Sequence, residues 1–255
     1  MVSMRTNRAK QKLARGEVVT ALGGFMTPDV VDFLGPAGFD VIWLEGEHGP
    51  LDYSLIPDLT RACDLWGMTS LVRVNRNVPG IIYRSLDLGA QGIAVPHVNT
   101  AAEARAVVDA ARFYPTGRRG MCPSRQGYGA SDFFIRANAE TLVVVLVEDV
   151  VAIENLPRLL EVPEIDVYFV AAGDLGQSMG LLQWPPHPDV TEAVARAVRT
   201  IVAAGRTAGA IAGDGEIEGM LDLGARFLYT EWPDWLLAAA HGYAERVATA
   251  AAAQA

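Results

Sequence analysis

Eight short apolar runs, each followed by a helix-like segment, constrain this chain more than any other feature. They fall at residues 18–25, 40–47, 69–75, 92–98, 142–148, 167–174, 207–212 and 226–231. Their apolar residues stand side by side instead of alternating with polar ones. A strand with one face in water alternates, whereas a strand of a parallel sheet covered by helices is apolar on both faces. The segments between the runs carry helix punctuation. Thr100 and Glu103 form a capping-box pair ahead of an Ala-rich run. Asp189 and Glu192 repeat that spacing before a stripe of Val190, Val194, Ala197, Val198, Ile201 and Val202, and Gly205 stands where the helix should stop. A last, Ala-rich helix is read over 235–252.

Leu86-Asp87-Leu88-Gly89-Ala90 recurs as Leu221-Asp222-Leu223-Gly224-Ala225. Each copy reads as a helix end, a glycine stop and entry into a buried strand, four βα units apart. Eight such units in 255 residues match the (β/α)8 TIM barrel. The rival is a doubly wound open sheet, which places a Gly-rich phosphate loop after its first strand, and Gly23-Gly24-Phe25 lacks that spacing. No Pro- or Ser-rich linker interrupts the pattern, so a single domain over 1–255 is expected.

Charge narrows the partners. With 21 Lys and Arg against 30 Asp and Glu, net charge is −9, which leaves no clustered basic surface for nucleic acid or an anionic membrane. Cys63 and Cys122 are too few for a disulfide framework or a thiolate metal site. No apolar run approaches the roughly 18 residues of a membrane span. Gln11, Lys12, Arg15 and Glu17 break up any signal-peptide pattern. These features point to a cytoplasmic protein acting on small molecules.

In such a barrel, chemistry gathers at the C-terminal ends of the strands. Glu148 and Asp174 end consecutive apolar runs, and neighbouring strands lie about 4.8 Å apart. Two carboxylates without a cysteine or a histidine pair suit a hard divalent cation such as Mg²⁺ or Mn²⁺. The alternative is that each caps the following helix. Arg73, among Leu71, Val72 and Val74, either grips a substrate carboxylate or pairs with a strand-end acid. His48 follows Glu45 and Glu47, and a carboxylate beside an imidazole makes it a better base, although a capping cluster would look the same. His97 also ends a strand but has no partner near it in sequence. Residues 113–131 contain Gly117-Arg118-Arg119-Gly120 and Gly127-Tyr128-Gly129, which suit either an anion-binding flap or a plain crossover. The tryptophans read as packing or interface residues.

Taken in order, these strand ends resemble the HpcH/HpaI aldolase family, the metal-dependent class II pyruvate aldolases typified by 4-hydroxy-2-oxoheptanedioate aldolase. The resemblance rests on Gly38-Phe39-Asp40, Glu47-His48-Gly49-Pro50, Val72-Arg73, Val95-Pro96, Tyr114-Pro115-x-Gly117-x-Arg119-Gly120, Val147-Glu148, Asp174-Leu175, Met179-Gly180 and His187-Pro188. It implies a barrel whose last helix is exchanged between subunits, in a homo-oligomer such as a hexamer built as a trimer of dimers. It implies Glu148 and Asp174 as ligands of Mg²⁺, Mn²⁺ or Co²⁺, with a 2-oxo acid and an aldehyde as substrates. Arg73 would bind the keto oxygen, and His48, oriented by Glu45, would exchange a proton with the acceptor hydroxyl. Glu47 would hold a water beside the cation. Gly173 and Asp174, in the turn after strand six, and Arg119 would face the substrate. Departures from the family pattern are Glu45 for Asp, Leu146 for Gln, Ala171-Ala172 for Gly-Pro, and the segment 121–131. They leave open 2-oxo-acid decarboxylation of the oxaloacetate type, C–C bond formation with another acceptor, or a retired binding barrel.

Overall fold

The computed structural model describes residues 3–254, so positions 1, 2 and 255 of the expected domain lie outside the described residues. Eight strands are present: β1 (Val19–Gly23), β2 (Val41–Glu45), β3 (Thr69–Arg73), β4 (Gly92–Val95), β5 (Leu142–Val147), β6 (Val167–Val170), β7 (Ala208–Ile211) and β8 (Phe227–Glu231). All pair in parallel and in sequence order, and β8 closes onto β1 from Val19↔Phe227 to Gly23↔Glu231. The helices are α1 (Arg8–Ala14), α2 (Pro28–Leu34), α3 (Ile56–Trp66), α4 (Pro79–Asp87), α5 (Ala101–Ala111), α6 (Phe133–Glu140), α7 (Val150–Leu159), α8 (Ala172–Ser178), α9 (Pro188–Ala203), α10 (Ile217–Asp222) and α11 (Trp232–Ala252). This is a (β/α)8 barrel.

Side chains on each strand split into two apolar layers. On β5, Val143, Val145 and Val147 pack outward against the helices, whereas Leu142, Val144 and Leu146 fill the interior. Trp43, Phe169, Phe227 and Tyr229 stack inside, with Trp43 5.3 Å from Phe169 and 4.9 Å from Tyr229 between ring centroids. The interior is therefore a packed floor beneath the mouth. Continuing the inward phase by two residues brings Glu45 above Trp43, Glu148 above Leu146 and Glu231 above Tyr229. The polar site is the top layer of the same alternation that builds the core.

The repeated pentapeptide does what its sequence suggests. Gly89 and Gly224, two residues beyond α4 and α10, have φ of +117° and +93°, a conformation open to glycine. The Thr100–Glu103 capping box is formed. The one expected at Asp189–Glu192 is not. Pro188 takes the first helical position, and the Nδ1 of His187 accepts from the backbone N–H of Asp189 instead. Most strands end earlier than the apolar runs. The ladder of β6 stops at Val170, and Asp174 lies in the first turn of α8.

Residues 113–131 run under the barrel rather than over its mouth. Arg119, expected to face substrate, is buried; it donates to Asp87 at 2.6 Å and lies over the Phe113 ring. Arg125 donates to Asp64 and Thr60 of α3, and the Gln126 side chain donates to the carbonyl of Gly89. Asp64, Asp87 and Gly89 lie at or just past the C-terminal ends of helices, the face opposite the strand C-termini. Each guanidinium is spent on a helix-end acid, so the segment is a strap and not an anion-binding flap. No helix among the described residues is long and apolar enough to cross a membrane.

Candidate active site

The mouth is organised around Arg73. Glu45 and Arg73 are register partners on β2 and β3, so their inward side chains meet. Arg73 Nε donates to Glu45 Oε2 at 2.7 Å, and its Nη1 lies 3.1 Å from Glu47 Oε2. The other Glu45 oxygen accepts the backbone N–H groups of Glu47 and His48 at 2.8 and 2.9 Å. Trp43 Nε1 donates a longer bond, 3.2 Å, to Glu45 Oε2 beside Arg73. Burial opposes ionisation of Glu45, but Arg73 and the two backbone donors outweigh it and hold the carboxyl below its ordinary range.

This changes the role expected of Glu45. Its carboxylate clamps Arg73 and the backbone of the turn, and the imidazole of His48 is not its partner. The ring is exposed, with Nε2 3.8 Å from Glu47 Oε2. Burial raises the Glu47 carboxyl despite Arg73 beside it, and Glu47 Oε2 is buried without a hydrogen bond.

Glu148 is fully buried. Oε1 accepts the backbone N–H of His97 at 2.8 Å, and Oε2 has no hydrogen-bond partner. Burial pushes its pKa up to about 7; the His97 N–H works against this, while the charges of Asp174 and Glu47 add to it. An orphaned oxygen on a buried acid, repelled by a second acid, is a poor strut and a good cation ligand. Neither Glu148 nor Asp174 caps the helix that follows it, and the first N–H of α7 donates to Ser178 Oγ at 3.0 Å instead, so the capping alternative has no bond behind it. Among the described residues no cluster of three or more His, Cys, Asp or Glu is placed to hold a metal. The pair Glu148 and Asp174 could hold a hard divalent cation through oxygen alone. Gly173 precedes Asp174 and borders open space, with nothing within 4 Å of where a Cβ would stand.

Two features were not anticipated. His97 pairs through Nδ1 with Asp149 Oδ2 at 2.9 Å, and its backbone has φ +52°, a strained value for a non-glycine residue. Its partner lies 52 positions away and only adjacency of β4 and β5 brings them together. On β8, Tyr229 donates to Glu231 at 2.5 Å. The alternation Phe227-x-Tyr229-x-Glu231 carried that signal in the sequence.

A family described as HpcH/HpaI aldolase/citrate lyase matches residues 22–227. The chain belongs to this family. Among HpcH/HpaI relatives, a hydroxypyruvate/pyruvate aldolase of Roseobacter denitrificans is 36% identical over 230 residues, covering 87% of this chain and 89% of that one. A 2-keto-3-deoxy-L-rhamnonate aldolase of Klebsiella pneumoniae is 32% identical over 234 residues, covering 89% and 88%. The crystal structure of an HpcH/HpaI family protein from Burkholderia cenocepacia superposes with a TM-score of 0.89 at 29% identity, over 95% of this chain and 99% of that one. The match to the family includes the strand ends from β2 to β6, where Glu45, Arg73, His97, Glu148 and Asp174 converge.

Proposed function

We propose that this chain is a divalent-metal-dependent pyruvate aldolase, a carbon–carbon lyase that joins the enolate of pyruvate to an aldehyde, or cleaves the resulting 4-hydroxy-2-oxo acid. The reading is carried by Glu148, fully buried with one oxygen unpartnered, its pKa raised by that burial and by the charge of Asp174, in the same mouth as a guanidinium held from two sides. The curated relatives support it, since they are named as a hydroxypyruvate/pyruvate aldolase and a 2-keto-3-deoxy-L-rhamnonate aldolase. Glu148 and Asp174 would hold Mg²⁺, Mn²⁺ or Co²⁺. When bound, such a cation supplies Lewis-acid stabilisation of the enolate.

The remaining work falls to this chain's own residues. Arg73 is pre-aimed by Glu45 and Glu47, and a fixed guanidinium stabilises oxyanion charge as it develops without having to reorganise. His48 sits at the rim and exchanges the proton of the acceptor hydroxyl through Nε2, beside Glu47. The backbone at Gly173 and Asp174, open and uncapped, receives the substrate carboxylate. Glu45 is a positioning residue for Arg73 and the His48 turn.

Purified protein with pyruvate in D₂O should incorporate deuterium into the methyl group when Mg²⁺, Mn²⁺ or Co²⁺ is present, and stop on addition of EDTA. Exchange that persists in EDTA, or none with any of the three cations, overturns the reading.

The assembly is also part of this proposal. None of α11 is buried, and Leu236, Leu237, Tyr243 and Val247 are all more than half exposed. A helix with such a surface calls for a covering partner. It packs on a neighbouring copy, in a homo-oligomer such as a hexamer of three dimers. The protein should elute far above its 27.3 kDa chain mass. A well-behaved monomer at micromolar concentration overturns this. The whole chain acts as one cytoplasmic domain, in keeping with two free cysteines.

A further inference from the structure

Beside His48 the mouth opens into a cavity of about 310 Å³ between β1, β2 and the start of α11. Its walls are mostly hydrocarbon: Phe25, Met26, Leu51, Leu55 and Leu59 line it. Its charged lining residues are Glu45 and Glu231, and no Lys or Arg lines it. Arg73 does not line the cavity; it is engaged in its pairs with Glu45 and Glu47. Glu231 is fixed as well. It ends the inward row of β8 and accepts the Tyr229 hydroxyl, while Tyr229 is packed against Trp43. Phe25 is braced edge-on by Trp232, with centroids 5.0 Å apart.

The geometry points to this cavity as the seat of the acceptor's tail, and to an uncharged aldehyde with an apolar chain as the acceptor class, with carboxylated and phosphorylated aldehydes excluded. The inference rests on the aldolase reading, because it takes His48 as the group that meets the acceptor oxygen. An aldehyde whose oxygen lies at His48 has its chain beside Phe25, Met26, Leu51 and Leu55. Each added methylene then leaves water for hydrocarbon, which is worth up to about fourfold in kcat/KM. An anionic tail in the same place meets Glu231, whose partner is the neutral Tyr229 hydroxyl, while the charge of Glu45 is already balanced by Arg73. Like-charge contact in a partly desolvated cleft costs about tenfold or more.

The test pairs two aldehydes of the same shape, 4-methylpentanal and 4-oxobutanoate, with pyruvate and Mn²⁺, and adds the series from ethanal to hexanal. Wild-type protein should favour the neutral member by about tenfold or more and gain with chain length. Glu231→Gln keeps an acceptor for Tyr229 but removes the charge, and should narrow the preference at least about threefold. Leu55→Arg places a cation at an exposed part of the wall and should narrow it further. Equal use of the two aldehydes by wild type, or a preference that neither variant moves, overturns the inference. Deuterium exchange into pyruvate without any aldehyde is measured on each protein. Normal exchange with no tail preference removes only the acceptor assignment, whereas absent exchange in wild type removes the aldolase reading and this inference together.

Discussion

Glu148→Gln is expected to abolish deuterium exchange and cation binding while making the metal-free protein more stable above neutral pH. Glu148 is fully buried, one oxygen lacks a partner, and its pKa sits at about 7 instead of the ordinary 4.5. The folded state therefore holds this proton more tightly than the unfolded chain does. Folding carries the penalty of an ionised buried acid fully above pH 7; the penalty shrinks as pH falls from 7 towards 4.5 and vanishes below that, where both states are protonated. The amide keeps the acceptor for the His97 N–H and removes the charge. At pH 8 the metal-free variant should gain on the order of 2–3 kcal/mol, or roughly 5–10 °C in Tm, and at pH 4 nothing. Melting curves at the two pH values, with Mn²⁺ titrations alongside, decide the matter. A variant that is less stable at pH 8 would make Glu148 a structural strut. One that still exchanges would remove it from the cation site.

Arg73→Lys should cut exchange about a hundredfold and leave Mn²⁺ affinity within about twofold. Lysine retains the charge but loses the planar fork that Glu45 and Glu47 hold from two sides. An ammonium drawn to either acid no longer points at the developing oxyanion. Single-turnover exchange with saturating Mn²⁺ separates this from a binding defect. An unchanged rate would leave Arg73 as nothing more than a tie between two strands.

The eight strands were legible because a parallel barrel demands apolar residues on both faces, and this chain supplies them in eight places. Their ends were harder to see. The apolar run of strand six continues into Ala171 and Ala172, so hydropathy gives no sign that the ladder stops at Val170 and that Asp174 already belongs to a helix. Glu148, Asp174 and Arg73 drew notice as candidates because polar residues at the ends of buried runs stand out. Their partners follow register rather than sequence distance. Glu45 is three residues from His48 but directly across from Arg73, so its side chain goes to Arg73 and its other oxygen to the turn's free N–H groups. His97 and Asp149 meet only because β4 and β5 are adjacent. Arg119 misled because Gly-Arg-Arg-Gly signals an anion partner without saying whether that anion is a substrate or the Asp87 of a neighbouring helix.

The two apolar rows of β5 leave the strand almost indifferent to its own phase. Val143, Val145 and Val147 face the helices and Leu142, Val144 and Leu146 face inward, so deleting one residue would exchange the rows and still present hydrocarbon to both sides. In most half-buried strands such a slip is punished by folding itself. Here it would turn Glu148 out among the helices and bring in Asp149, one methylene shorter and already needed by His97. The proposed cation would lose its seat. Hydropathy alone is thus blind to the alignment on which the proposed cation site depends, and a frame-shifted β5 would surface in a metal titration as a loss of binding.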